Sequence, residues 1–229
     1  VPMPLAILLA ITWLATLRMY PEARGSKTKE RPQRGALEML KDPRLRPLYL
    51  ITFLSRLASQ GLFAFLPLHL QVLGVSDAMM PLFWSAGVLS EIILIRAAPK
   101  LFATWSNKAV LSLCLLAAVL QYALTAVVES PWILLLVMLL HGLSFGVWYV
   151  TSVLHIGEHA EPGERSTAQG LFQMVGFGLG GILSSVAAGY LFESGQGPLL
   201  FGVATGLAMI TFLAHLRFFP QRIDEPSAG

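Results

Sequence analysis

The stretch LLHGLSFGVWYV, Leu139 to Val150, lies in an apolar run from Pro131 to Leu154 that holds no Asp, Glu, Lys or Arg. A histidine, two glycines and a serine interrupt its middle. In a soluble core such a histidine is usually satisfied by a neighbouring carbonyl. Within a lipid bilayer a polar group at this depth faces a cavity or a partner. The solvent around this run therefore decides the fold.

Composition identifies that solvent. The 229 residues are 55% hydrophobic and 13% charged, with a mean hydropathy of +0.66. Soluble domains carry roughly 25% charged residues, so the long apolar runs of this chain must face lipid. A membrane-crossing helix needs about 20 mostly apolar residues. Seven stretches qualify: Val1–Arg18, Leu48–Leu73, Met79–Ala98, Ala109–Val128, Pro131–Leu154, Thr167–Phe192 and Pro198–Phe219. Each is continuously apolar, unlike the alternating strands of a barrel. The fold class is thus all-α and polytopic. The lone cysteine, Cys114, excludes a disulfide framework.

The basic residues orient the chain. Nine of the 16 lysines and arginines flank or fill the segment from Arg18 to Arg46. Because Lys and Arg favour cytoplasmic loops, this connector is expected inside. Threading onward places Arg96, Lys100, Lys108, Arg165, Arg217 and Arg222 on the same side. The opposite loops, Gly74–Ala78, Glu129–Ser130 and Glu193–Gly197, carry no Lys or Arg. Only Arg56 remains within a span. The net charge of +3 therefore reports membrane topology and not nucleic-acid binding; the expected location is a plasma or bacterial inner membrane, with linker and C-terminus cytoplasmic.

The expected organisation is a first helix over residues 1–20, a basic linker over 21–46, a six-helix bundle over 47–219 and a polar tail over 220–229. A lone first helix that begins at Val1, without a methionine, leads to the expectation that an N-terminal part of the protein is missing from this chain.

This pattern resembles helices 6–12 of a twelve-helix major facilitator superfamily transporter, and specific runs carry the resemblance. Arg165 to Gly195, RSTAQGLFQMVGFGLGGILSSVAAGYLFESG, is similar to the eleventh helix of its phenylpropionate-permease-like and sugar-symporter-like branch. LFWSAGVLSEIILI, Leu82 to Ile95, resembles the eighth, and LLHGLSFG the tenth. The resemblance implies a secondary transporter, a proton-coupled symporter of a small organic solute such as an aromatic acid, sugar or nucleoside. It implies no cofactor, and a substrate site near the midplane between two halves.

Within the spans, Glu91 and His141 are the candidates for proton coupling. Burial disfavours the charged form of a carboxyl, which suits a carrier working near neutral pH. The other reading of Glu91 is a protonated acid bonded to another helix, and His141 is equally suited to binding substrate or Glu91. Where relatives place an acid one turn after that histidine, this chain has Ser144. Where they place an arginine in the ninth helix, it has Gln121. Arg56, Gln60, Phe63, Trp84, Gln121, Ser144 and Gln173 are the candidates for substrate contact, although Arg56 also fits a side chain snorkelling to the cytoplasmic surface. The spacings Gly142/Gly146 and Gly176/Gly180 let helix backbones approach closely, for packing or for sliding during transport.

No P-loop, nucleophile elbow or metal-ligand spacing supports an enzyme. HIGEH, His155 to His159, lacks the glutamate beside its first histidine that a zinc motif needs, so no metal is expected. His69 and His155 lie near span ends and His159 in a loop, where solvation accounts for all three. A seven-helix receptor is the alternative class. The absence of lysine from Pro198–Phe219 argues against a retinal protein.

Overall fold

In the computed structural model, residues 34–219 are described. The first expected span, the linker up to Gln33 and the tail from residue 220 lie outside them. The described residues contain six long or short helical elements, the third preceded by a single 3-10 turn, Asp77–Met79. These are α1 (Ala36–Leu40), α2 (Arg46–Val72), α3 (Met80–Leu101), α4 (Asn107–Val127), α5 (Pro131–His159) and α6 (Arg165–Phe218). Elements α2 to α6 are long and apolar enough to cross a membrane, which makes five candidate spans.

The boundaries follow local chemistry. Pro47, Pro81 and Pro131 occupy first turns, where a missing N–H costs nothing. The Ser106 hydroxyl caps α4 by accepting from the Ala109 N–H at 3.2 Å. Helix α2 ends on Gly74, whose φ of +80° suits glycine. Its N–H donates to Gln71 O at 2.9 Å while Val75 N–H donates to Leu70 O at 3.0 Å, the paired closure of a Schellman motif.

At 54 residues, α6 is far longer than a bilayer needs. Its first part runs alongside α2 in the same direction. Thr52 meets Gly176, Gly61 donates to Ser184 Oγ at 2.8 Å, and His69 closes on Gly197. At Gly195 and Gln196 the backbone leaves the helix, and Pro198 restarts it. The return part places Phe201 against His69, and Ala208 and Thr211 beside Arg56. It ends where Lys108 Nζ donates to Phe219 O at 2.8 Å. α6 is therefore two helices joined at a kink, and the chain passes the bundle once in each.

The basic connectors gather at one end, where an apolar cluster packs Leu45, Tyr49, Leu111, Trp148, Phe172 and Phe219. A second cluster near the other end holds Leu66, Phe83, Tyr122, Leu134 and Phe201. Cys114 is fully buried in the first, as a small apolar residue would be.

The described end of the linker is pinned at this basic end. Arg34 Nη2 lies 2.5 Å from Glu164 Oε2, and Nη1 lies 2.7 Å from Asp42 Oδ2. The Arg34 hydrogen bonds hold the Glu164 carboxyl below its usual range. Burial works to raise Asp42, but the Arg44 N–H and the Arg34 guanidinium outweigh it, so Asp42 also sits low. Carboxyls held low contribute stability that is fully present above the ordinary carboxyl pKa of about 4.3 and lost as pH falls through the depressed value. Glu164→Gln should therefore loosen α1 at neutral pH, giving several-fold faster amide exchange over residues 36–40. Wild type should loosen similarly only in acid, after correction for intrinsic exchange. Unchanged protection in the variant would show that this contact does not hold α1.

Candidate functional site

Between the two apolar clusters lies a polar layer. Helix α2 contributes Thr52, Ser55, Arg56 and Ser59, α4 contributes Gln121, and α5 contributes Ser144. Polar side chains at this depth are costly in lipid and must be turned inward. Thr52, Arg56, Ser59, Gln121 and Ser144 are all buried.

The acid and the histidine meet. His141 Nε2 lies 3.1 Å from Glu91 Oε1, with 13% and 20% of the two side chains exposed. Close backbone approach makes this possible. Gly142 N–H donates to Ser90 Oγ at 3.0 Å, and a side chain at Gly142 would stand 2.7 Å from the Ser90 backbone. Gly146 sits against the Glu91 side chain, and Gly87 against the His141 ring. The G-x-x-x-G face of α5 thus delivers the imidazole to the carboxyl. It lies where α5 is wound as a π-helix, Gly142 to Val147, a form frequent at functional sites. The Met174–Gly180 glycine run of α6 is wound the same way. A protonated carboxyl can donate to the neutral imidazole, or the ring N–H can donate to the carboxylate. One proton fits either side of the contact.

Aromatic rings hold this pair. Phe145 stacks on the His141 ring at 5.3 Å between centroids, and Phe63 meets it edge-on at 4.7 Å. Trp84 extends the group beyond Phe63 at 6.1 Å, but it is 41% exposed at the bundle's edge.

Arg56 departs from one of its two readings. Far from snorkelling, it is 4% exposed. Its guanidinium carbon lies 4.7 Å from the Trp148 ring and 5.0 Å from both Phe145 and Phe177. This three-sided cage offers the cation quadrupole attraction in place of water. Among the described residues no carboxylate reaches ion-pair distance of Arg56. Among those same residues its Nε has no partner, and neither have Ser55 Oγ, Ser59 Oγ and Gln121 Nε2. A cavity of about 10 Å³ bounded by Ser55, Arg56, Tyr122, Ser144 and Thr211 lies beside them.

Gln121 and Ser144 stand in this same layer, the serine hydroxyl donating to Gln121 Oε1 at 2.6 Å. Gln173 is exposed and donates to the Tyr149 hydroxyl at 2.7 Å. Gln60 lies over Gly181 in the packing of α2 on α6. Phe145 and Phe177 were not among the sequence candidates, yet Phe145 joins the His141 group to Arg56. Each lies four residues after a candidate, His141 and Gln173, and that helical spacing was the available signal.

Two histidines also depart from expectation. His69 and His155 are buried, 4% and 3% exposed, so solvation does not explain them. His159 closes α5 instead of occupying a loop.

Known proteins share this architecture. The chain is 27% identical over 163 residues to the putative nucleoside transporter YegT of Escherichia coli (strain K12), covering 69% of this chain and 38% of that protein. It is 26% identical over 137 residues to the probable 3-phenylpropionic acid transporter of the same organism, covering 59% of this chain and 36% of that one. The crystal structure of the nucleoside transporter NupG (D323A mutant) superposes with a TM-score of 0.75 at 21% identity, over 94% of this chain and 59% of that one. The chain thus spans little more than a third of these curated relatives' length. The model of the MFS_1 like family matches residues 1–203. With that match spanning the polar layer and the helices that build it, the chain belongs to the MFS_1 like family.

Proposed function

We propose that the chain forms the C-terminal part of a proton-coupled secondary transporter for a small organic solute, with Glu91 and His141 sharing the coupling proton. The observation that carries this reading is the 3.1 Å contact between the two, the one ion-pair contact within the spans of the described residues. It lies on facing helices, at the seam made by Gly87, Gly142 and Gly146. Alternating access moves one bundle against another around a midplane site, and a proton shared across a helix seam can be taken up in one state and released in the other.

The substrate class follows from the layer around this pair. Phe63, Phe145 and Trp84 offer ring faces, while Gln121 and Ser144 in the polar layer, and the exposed Gln173 beside Tyr149, offer hydrogen bonds. Flat rings bearing hydroxyl or amide groups fit such a surface, and a nucleoside is the best-matching class. The names of the relatives support it, since one is a putative nucleoside transporter and the structural neighbour is a nucleoside transporter. An aromatic acid is the second reading, favoured by the uncompensated charge of Arg56. The remaining surface of the site would come from a second, N-terminal bundle. Exchange and gradient-driven uptake of labelled nucleosides, measured on the complete carrier in the same vesicles, test the proposal.

The orientation has its own test. With the basic connectors cytoplasmic, single cysteines at Ser76, Ser130 and Ser194 in a Cys114→Ala background should react with impermeant thiol reagents on intact cells. A cysteine at Ser26 should not. The opposite labelling pattern would invert the topology.

A further inference from the structure

At the basic end of the bundle, His155, Glu158 and His159 each present one ligand atom, and these atoms all lie within 4.8 Å of one another. The spacing i, i+3, i+4 puts them on one face of α5. The two imidazole rings stack with centroids 4.0 Å apart. We propose that these three residues form a binding site for a divalent transition cation of the zinc class, with a fourth position open to water.

The argument rests on which atoms are already engaged. His155 Nε2 faces Arg44 O at 3.4 Å, and His159 Nδ1 faces His155 O at 2.9 Å. A carbonyl only accepts, so each of these ring nitrogens carries its hydrogen. That fixes the tautomers and leaves lone pairs on His155 Nδ1 and His159 Nε2. Glu158 Oε2 accepts from Asn107 Nδ2 at 2.7 Å, which orients the carboxylate and leaves Oε1 free. Metal-ligating histidines characteristically donate their other N–H to a carbonyl or carboxylate, which sets orientation and basicity. All three candidate ligands have that support here.

A second observation points to a missing partner. His155 is only 3% exposed, and among the described residues its Nδ1 has no hydrogen-bond partner. Buried polar atoms are nearly always paired. Helix-end solvation accounts for His159 but not for this enclosed lone pair. Two imidazoles and one carboxylate are a donor set that suits Zn²⁺ with one open position. This reading replaces the sequence-based expectation of no metal, which rested on the missing glutamate of a protease motif and said nothing of Asn107 or Arg44. The cation would tie the end of α5 to the starts of α2 and α4. It is independent of the proton pair, which lies more than three turns back along α5.

The test titrates Zn²⁺ into the chelator-treated 229-residue chain in detergent by calorimetry, with Co²⁺ absorption reporting ligand geometry. One Zn²⁺ per chain is expected. His159→Gln and Glu158→Gln alter partly or fully exposed side chains and should keep wild-type helix content while binding at least tenfold more weakly. Asn107→Ala should weaken affinity but leave the stoichiometry at one. His215→Gln, at the neighbouring Lys108 carbonyl, should leave binding unchanged. No Zn²⁺ binding by the wild-type chain, or equal binding by a His159→Gln/Glu158→Gln double variant of unchanged helix content, overturns the proposal.

Discussion

Glu91→Gln is expected to abolish uphill accumulation driven by a pH gradient while sparing substrate exchange. Glutamine copies the shape of the protonated acid and cannot release a proton. The loaded carrier then still reorients, because its charge state matches the proton-bound form, and labelled substrate equilibrates across the membrane. The empty carrier has no proton to discharge, so the gradient no longer biases the cycle. A ligand shifts a conformational equilibrium only through differential affinity for its two states, and the variant removes that difference for H⁺. His141→Gln separates the partners. If the imidazole positions Glu91 and substrate, coupling survives, and apparent affinity drops by about tenfold to a hundredfold, the loss of a polar contact of order 1–3 kcal/mol. Both variants are measured in the same vesicles for exchange and for accumulation. Full accumulation by Glu91→Gln would assign the proton elsewhere, and wild-type affinity in His141→Gln would make the histidine a packing residue.

Most of the fold was legible because bilayer physics leaves few options. Apolar length marked the helices, and the described boundaries α2 to α5 fall within a few residues of the sequence reading except at the end of α5. There the expected stop at Leu154 gave way to a helix reaching His159. Hydropathy dips at His155, Gly157, Glu158 and His159, yet the backbone remains helical because burial against Phe219 and Arg44 supports that turn. The break in α6 was visible as the polar Glu193–Gly197 interruption, although only the geometry shows helix resuming within two residues at Pro198. The first of the seven expected spans lies outside the described residues.

The residues of the polar layer stood out one by one in the sequence, and their arrangement did not. Depth in the membrane singled out Glu91, His141, Arg56 and Gln121, since each is expensive there. Sequence left Glu91 and His141 fifty residues apart, and their meeting depends on three glycines whose joint purpose is a packing fact. Arg56 shows the limit most clearly. Its distance from the span's end fits a snorkelling side chain, but Phe145, Trp148 and Phe177 arrive from two other helical elements to enclose it. No local pattern around Arg56 announces them.

Gly142→Ala should be the most damaging single-methyl addition in the seam between α3 and α5. A Cβ at Gly142 would stand 2.7 Å from the carbonyl carbon and oxygen of Ser90, and 2.7 Å from Leu94 Cδ1. The leucine tip can turn aside, but the Ser90 backbone cannot, because it lies within the hydrogen-bonded ladder of α3. Helices α3 and α5 must separate instead. That stretches the Gly142 N–H bond to Ser90 Oγ, 3.0 Å here, and carries His141 away from Glu91. Overpacking of this kind costs about 1–3 kcal/mol, which should appear as a clear fall in thermal midpoint. Loss of the 3.1 Å contact should cut coupled uptake at least tenfold, more than the stability loss alone explains. Gly202→Ala is the matched control. Its Cβ would meet nothing within 4 Å, and alanine is favoured over glycine in a helix by up to about 1 kcal/mol. That variant should be neutral or slightly more stable, with normal uptake. If Gly142→Ala behaved like Gly202→Ala, the α3–α5 seam would be slack enough to admit a methyl group, and the glycines would not be what brings the histidine to the acid.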